Sequence, residues 1–200
     1  MPFFALLIAA ANKGIEYLGI VALVAFDAVI PLAPGEVAVI AGGVDAAAND
    51  GSIFLVLAAA VAGAFAGDNI NYHLGKYFGE PLARRFARGA DAQRTLAFAK
   101  QQSVERPWIV AASRFVPGGR TVATLAAGIV GMPWRRFIAY ELPGAFAWAL
   151  MLSGLGFVAG SAFEDSFWKP LAVSLGLAFV ISLVAEGYRR RLVARHQQQQ

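Results

Sequence analysis

The sequence has no cysteine among its 200 residues, which excludes disulfides and thiolate metal sites. Charge is scarce too. Asp, Glu, Lys and Arg make up 15% of the chain against 58% for the hydrophobic residues, whereas soluble domains carry about 25% charged residues. An ordinary water-soluble domain is thereby excluded. The net charge of +4 sits in short connections, which is a pattern of membrane topology and no sign of nucleic-acid binding. The opening MPFFALLIAAANK lacks a positive n-region, and its first lysine follows the apolar run, so a cleaved signal peptide is not expected. The closing HQQQQ is polar and expected to be disordered. No metal and no cofactor is expected.

What the chain does have is long apolar runs: Ile53–Phe65, Phe137–Leu152 and Leu171–Ala185. With their flanks they reach the roughly 20 residues that a bilayer-spanning helix needs. The expected fold class is an all-α, multi-pass membrane protein with one compact domain. Hydrophobic segments cover Gly14–Val44, Ile53–Gly79, Trp108–Met132, Phe137–Ala162 and Leu171–Gly187. Basic residues cluster at Arg84–Arg106, at Arg135–Arg136 and at Arg189–Arg195. The positive-inside rule puts these clusters in the cytoplasm and the acidic connections 45–52 and 164–169 outside.

Trp108–Met132 has basic clusters at both ends, so a single crossing would violate that rule. A re-entrant hairpin that returns to the same side does not. Pro117, Gly118 and Gly119 stand at its midpoint, where a lost donor and free φ let the chain turn. The first segment repeats the pattern: PLAPGEVAVIAGG (31–43) turns at Pro34 and Gly35 as RFVPGGRTVATLAAG (114–128) turns at Pro117 and Gly118. Each hairpin is followed by a long helix, ending in LGKYFG (74–79) and LGFVAG (155–160). The expectation is an inverted repeat of re-entrant hairpin plus transmembrane helix, with an extra C-terminal transmembrane helix, as in transporters with broken midplane helices. Chance similarity in a Gly/Ala-rich chain is the competing explanation.

The expected divisions are a short N-terminal helix (1–13), a membrane domain (14–187) and a basic cytoplasmic tail (188–200). The membrane domain contains repeat one (14–79), a basic amphipathic connection (80–106), repeat two (107–162) and a last helix (170–187). This gives three full crossings, an outside N-terminus and a cytoplasmic C-terminus in the cell membrane. In Ile53–Gly79, the residues Ala59, Gly63, Gly67, Asn71, Gly75 and Gly79 make a small-residue face. It suits close packing within one chain or between two copies in a homodimer. Trp108, Trp134 and Trp168 read as interfacial anchors.

Five charges interrupt the apolar segments: Asp27, Glu36, Asp68, Arg114 and Arg120. A charge near the bilayer centre costs about 2.5–3.5 kcal/mol on insertion scales, so such residues pair or line a wet cavity. If the hairpin tips meet, Asp27 and Glu36 approach Arg114 and Arg120. One interpretation is structural: ion pairs that hold the hairpins together. The other is functional. Arginine presents a fork of donors that suits phosphate oxygens and keeps its charge, so Arg114 and Arg120 are candidate substrate-binding residues. Asp27, Glu36 and Asp68 are candidates for coupling to protons or ions. His73 either extends a proton relay or serves packing and hydrogen bonding.

On DAVIPLAPGE (27–36), GDNINYHLGKYFG (67–79), RFVPGGR (114–120), AAGIVGMPWRRF (126–137) and GAFAW (144–148), the chain resembles the DedA family, also called the VTT or SNARE-associated family. The resemblance implies two facing re-entrant hairpins and membrane lipid transport. Its substrates would be lipid phosphates such as undecaprenyl phosphate, or phospholipids. It also implies an acid pair at Asp27 and Glu36 and an arginine pair at Arg114 and Arg120. The family's first acid is usually glutamate followed by asparagine; here Asp27 is followed by Ala28. The expected partners are therefore membrane lipids and protons, with no nucleic acid and no enzymatic activity. A proton-coupled transporter of small ions or drugs is an alternative, although two arginines disfavour a cationic substrate. A polyprenyl-pyrophosphate phosphatase would need a nucleophile beside a base, and Ser113 has no evident histidine partner.

Overall fold

The computed structural model describes residues 2–30, 34–49, 51–86, 107–115, 119–162 and 176. Every element among them is helical. They are α1 (Pro2–Val29), α2 (Gly35–Ala48), α3 (Ile53–Phe86), α4 (Ile109–Ala112) with a 3-10 turn (Ser113–Phe115), α5 (Gly119–Ile129) and α6 (Trp134–Ala162). Within these, Ile53–Gly79 and Trp134–Ala162 are long and apolar enough to cross a membrane, at 27 and 29 residues. The short helix expected over 1–13 runs without a break into the next segment. The helix expected to end at Gly79 continues to Phe86. Residues 87–106, the last helix (170–187), the tail and Trp168 lie outside the described residues.

The surface is inverted relative to a water-soluble protein. Phe54, Leu55, Ile70 and Phe78 on α3 and Phe146, Leu150 and Val158 on α6 are exposed, while Asp68, Asn71, Glu141 and Ser153 are fully buried. Large apolar side chains outside and polar ones inside suit a lipid surround, where intramembrane charges face the protein interior.

The first helix breaks where the sequence dictates. Pro31 and Pro34 cannot donate to the preceding turn, so α1 ends at Val29 and α2 begins at Gly35. The second break lies between the 3-10 turn and α5; Pro117 and Gly118 fall outside the described residues, and Gly119 is the first residue of α5. The far end of α5 closes with Gly131 at φ 69. There the Gly131 and Met132 N–H groups donate to the carbonyls of Gly128 and Ala127 at 3.0 Å each. This is a Schellman-type end, with a glycine where a left-handed residue is needed. Pro133 follows and launches α6.

The small-residue face of α3 is used within the chain, and all six of its residues are buried. A Cβ on Gly63 would meet the Val21 carbonyl at 2.6 Å, one on Gly67 the Ala25 carbonyl at 2.5 Å, and ones on Gly75 and Gly79 would strike Leu125 and Ile129. The face therefore seats α1 along one half and α5 along the other. On α6, Gly144 lies against Ala111, Gly156 against the Ile40 carbonyl, and Gly160 against Val44. The same chain spacing separates 63 from 144, 75 from 156 and 79 from 160, and a second constant spacing separates 40 from 125 and 44 from 129. Each long helix thus packs the segment before the helix break that precedes it and the segment after the other break.

Two apolar cores result. One joins Ile20, Val39, Val56, Ala60, Trp148 and Leu152; the other joins Tyr72, Val110, Ala127, Met132 and Phe137. Along α3 the first core precedes the second, and along α6 the order reverses, so the two helices run antiparallel. Asp68 and Glu141 occupy the boundary between the cores.

Candidate functional site

Both helix breaks converge on that boundary. Asp27 lies in the last turn of α1 and packs against Gly35, where a Cβ would sit 2.8 Å from the Asp27 Cβ. Arg120, in the first turn of α5, donates from Nη2 to Asp27 Oδ2 at 2.9 Å. Next to it, Thr121 Oγ1 donates to the Ala28 carbonyl at 3.0 Å. Asn71 Nδ2 donates to that same carbonyl at 2.7 Å. A carbonyl in the final turn of a helix has no partner within the helix, so the end of α1 is tied to both α3 and α5.

The five charges singled out in the sequence are brought into one neighbourhood, but not in the expected pairs. Asp27 does meet Arg120. Arg114 does not pair with Asp27 or Glu36. Its Nη2 donates to Asp68 Oδ2 on α3 and to Glu141 Oε1 on α6, the latter at 2.5 Å. The side chains in this triad are at most 1% exposed. Arg120 Nε also lies 3.7 Å from Asp68 Oδ1, which links the triad to the Arg120–Asp27 pair. Glu36 is exposed, within the fields of Asp27 and Arg120. As an anion in the first turn of α2 it is well placed against the helix dipole.

Glu141 was not among the expected site residues. It lies inside the run Phe137–Leu152, which hydropathy reads as one apolar stretch. The signal was present: a carboxylate among apolar neighbours, the criterion that selected the other five charges. Pro143, two positions on, removes one backbone bond of α6. Such a break is tolerated within a membrane when neighbouring elements surround it, and here Gly144 sits directly against α4.

The two arginines have different surroundings. Arg114 is closed off between two carboxyls. The side chains of Arg120 and Asp27 are 12% and 14% exposed, and the Arg120 guanidinium lies 5.8 Å from the centroid of the Trp148 ring. A guanidinium over an indole face is stabilised without consuming its donors. His73 is engaged on its own helix: its Nδ1 lies 2.8 Å from the Asn69 carbonyl, and its ring stacks on Tyr77. This is the packing and hydrogen-bonding role. Trp108 and Trp134 are both exposed, and Trp134 Nε1 donates to Asn69 Oδ1 at 2.8 Å.

Comparison with known proteins finds membrane-protein relatives. A model of the VTT domain matches residues 33–158. The uncharacterized membrane protein slr0232 of Synechocystis sp. is 38% identical over 162 residues, 76% of this chain and 74% of the relative. Inner membrane protein YohD of Escherichia coli is 33% identical over 132 residues, 64% of this chain and 66% of the relative. Protein DedA of Escherichia coli is 29% identical over 174 residues, covering 83% and 78%. No solved structure matches.

Proposed function

The chain belongs to the VTT-domain family of membrane proteins, and from that premise we propose that it moves a lipid phosphate across the cell membrane, with Arg120 receiving the phosphate. The carrying observation is the contrast at the helix breaks. Arg120 is partly exposed and hydrogen-bonded to one carboxylate, in the first turn of α5. A cation there is unfavourable to the helix dipole unless an anion accompanies it. Asp27 supplies that anion at rest. A phosphate offers more acceptor oxygens and more charge, and a guanidinium binds it through two parallel bonds. The lipid phosphate therefore displaces Asp27 from Arg120, and Asp27 and Glu36 are then free to take up protons. Arg114 holds the site in place.

The same reading takes the two breaks as tips of opposed re-entrant hairpins in an inverted repeat. The reciprocal glycine packing supports this, as do the bonds of Arg120 and Thr121 to the end of α1. Three full crossings with a cytoplasmic C-terminus satisfy the basic clusters. Transport is favoured over phosphatase chemistry because Ser113 Oγ is buried and donates to the Val110 carbonyl at 2.8 Å.

Reconstitution tests the reading. Leaflet exchange of undecaprenyl phosphate and of a zwitterionic phospholipid would be followed in proteoliposomes, with and without a pH gradient. Selective movement of the phosphorylated polyprenyl lipid is expected. If neither lipid moves under any gradient while the protein stays folded, the proposal fails.

A further inference from the structure

The Asp68–Arg114–Glu141 triad has more acid than base. Both carboxyls take their bond from the same nitrogen, Arg114 Nη2. Sharing one nitrogen brings the two carboxyls side by side. Among the described residues, Asp68 Oδ1, Glu141 Oε2 and Arg114 Nη1 are buried without a hydrogen-bond partner. Arg120, another cation near them, bonds to Asp27 and reaches Asp68 only at 3.7 Å. The charged groups facing this point are Asp27 from α1, Asp68 from α3, Arg114 from the 3-10 turn, Arg120 from α5 and Glu141 from α6, with Glu36 of α2 exposed at the edge. Among the described residues, leaving Glu36 aside, three carboxyls face two guanidiniums.

Two buried carboxylates held on one nitrogen repel each other, and an unpaired negative charge in an apolar interior is costly. One proton removes both problems, because it cancels the excess charge and turns one carboxyl into a donor for the other. Its location follows from the neighbours. Asp68 faces Arg114 directly and has Arg120 Nε 3.7 Å from its Oδ1. Glu141 bonds to Arg114 alone. The anion is better stabilised on Asp68.

We propose that Glu141 is a proton-binding site: in the resting protein it is a neutral carboxylic acid hydrogen-bonded to ionised Asp68 across Arg114. The proton is separate from any carried by Asp27 or Glu36. Its presence does not depend on which lipid is moved, or on transport at all. Loss of it would set three anions against two guanidiniums and loosen the contact between α3 and α6.

Infrared spectroscopy of the full chain in lipid nanodiscs at neutral pH tests this. The expected result is a carboxylic-acid C=O band that shifts in D2O. Glu141→Gln removes it. Asp68→Asn removes it as well, although Glu141 is still there, because Arg114 then faces a single carboxyl and binds it as the anion. Asp45→Asn leaves it unchanged. Absence of the band in the unmodified protein overturns the proposal without recourse to any variant. A band that survives Glu141→Gln places the proton elsewhere, and one that survives Asp68→Asn belongs to an isolated acid; either result overturns it. If Glu141→Gln does not fold, the unmodified chain and Asp68→Asn decide the matter.

Discussion

Arg114 and Arg120 flank the same break in the chain and carry the same side chain, yet the fold treats them in opposite ways. Arg114 is wedged between α3 and α6 with a carboxyl on either side. Arg120 stands at a helix start with one carboxylate and an indole face, still partly open. A buried guanidinium between two acids is a brace, because removing it strands charge in the interior. A partly open guanidinium with one close partner is the one proposed as receptor. The difference comes from what α6 delivers to each position: Glu141 to one, Trp148 to the other.

This contrast can be broken at its strongest point first. Arg114→Met should cost about 3–5 kcal/mol, since it leaves buried carboxyls without their cation. Thermal unfolding of the purified protein would reveal it, and an unchanged midpoint would show that Arg114 braces nothing. Next comes the glycine packing of the two long helices. Gly75→Ala and Gly156→Ala each push a methyl into a backbone carbonyl of the facing segment. Each should lose about 1–3 kcal/mol, and the two losses should match. A large loss from only one would separate the two halves of the molecule. The smallest effect is expected at Trp134→Phe, which gives up one exposed hydrogen bond to Asn69, about 0.5–1 kcal/mol.

Much of this was legible in the sequence because it rests on local rules. Pro31 and Pro34 forbid continuation of the first helix, and the break is where they stand. The small-residue face of α3 is visible as a four-residue period, and the structure fills it with α1 and α5. Charges in apolar runs pointed to Asp27, Glu36, Asp68, Arg114 and Arg120, which do gather. The pairing was not legible, because it depends on which elements cross at the boundary between the cores. Glu141 escaped for a related reason: averaged over a window, one carboxylate vanishes among Phe137, Ile138, Ala145 and Phe146. The extent of α3 past Gly79 was missed because the apolar run ends at LGKYFG, whereas the helix continues to Phe86.

The central claim is that Arg120 receives the phosphate while Arg114 holds the site together. Its most direct test measures stability and undecaprenyl phosphate exchange on the same preparation of Arg120→Gln. The account predicts a folded protein that loses less stability than Arg114→Met, because Asp27 keeps some exposure when its partner is removed, together with loss of lipid exchange. Exchange at the unmodified rate by a folded Arg120→Gln protein would contradict it.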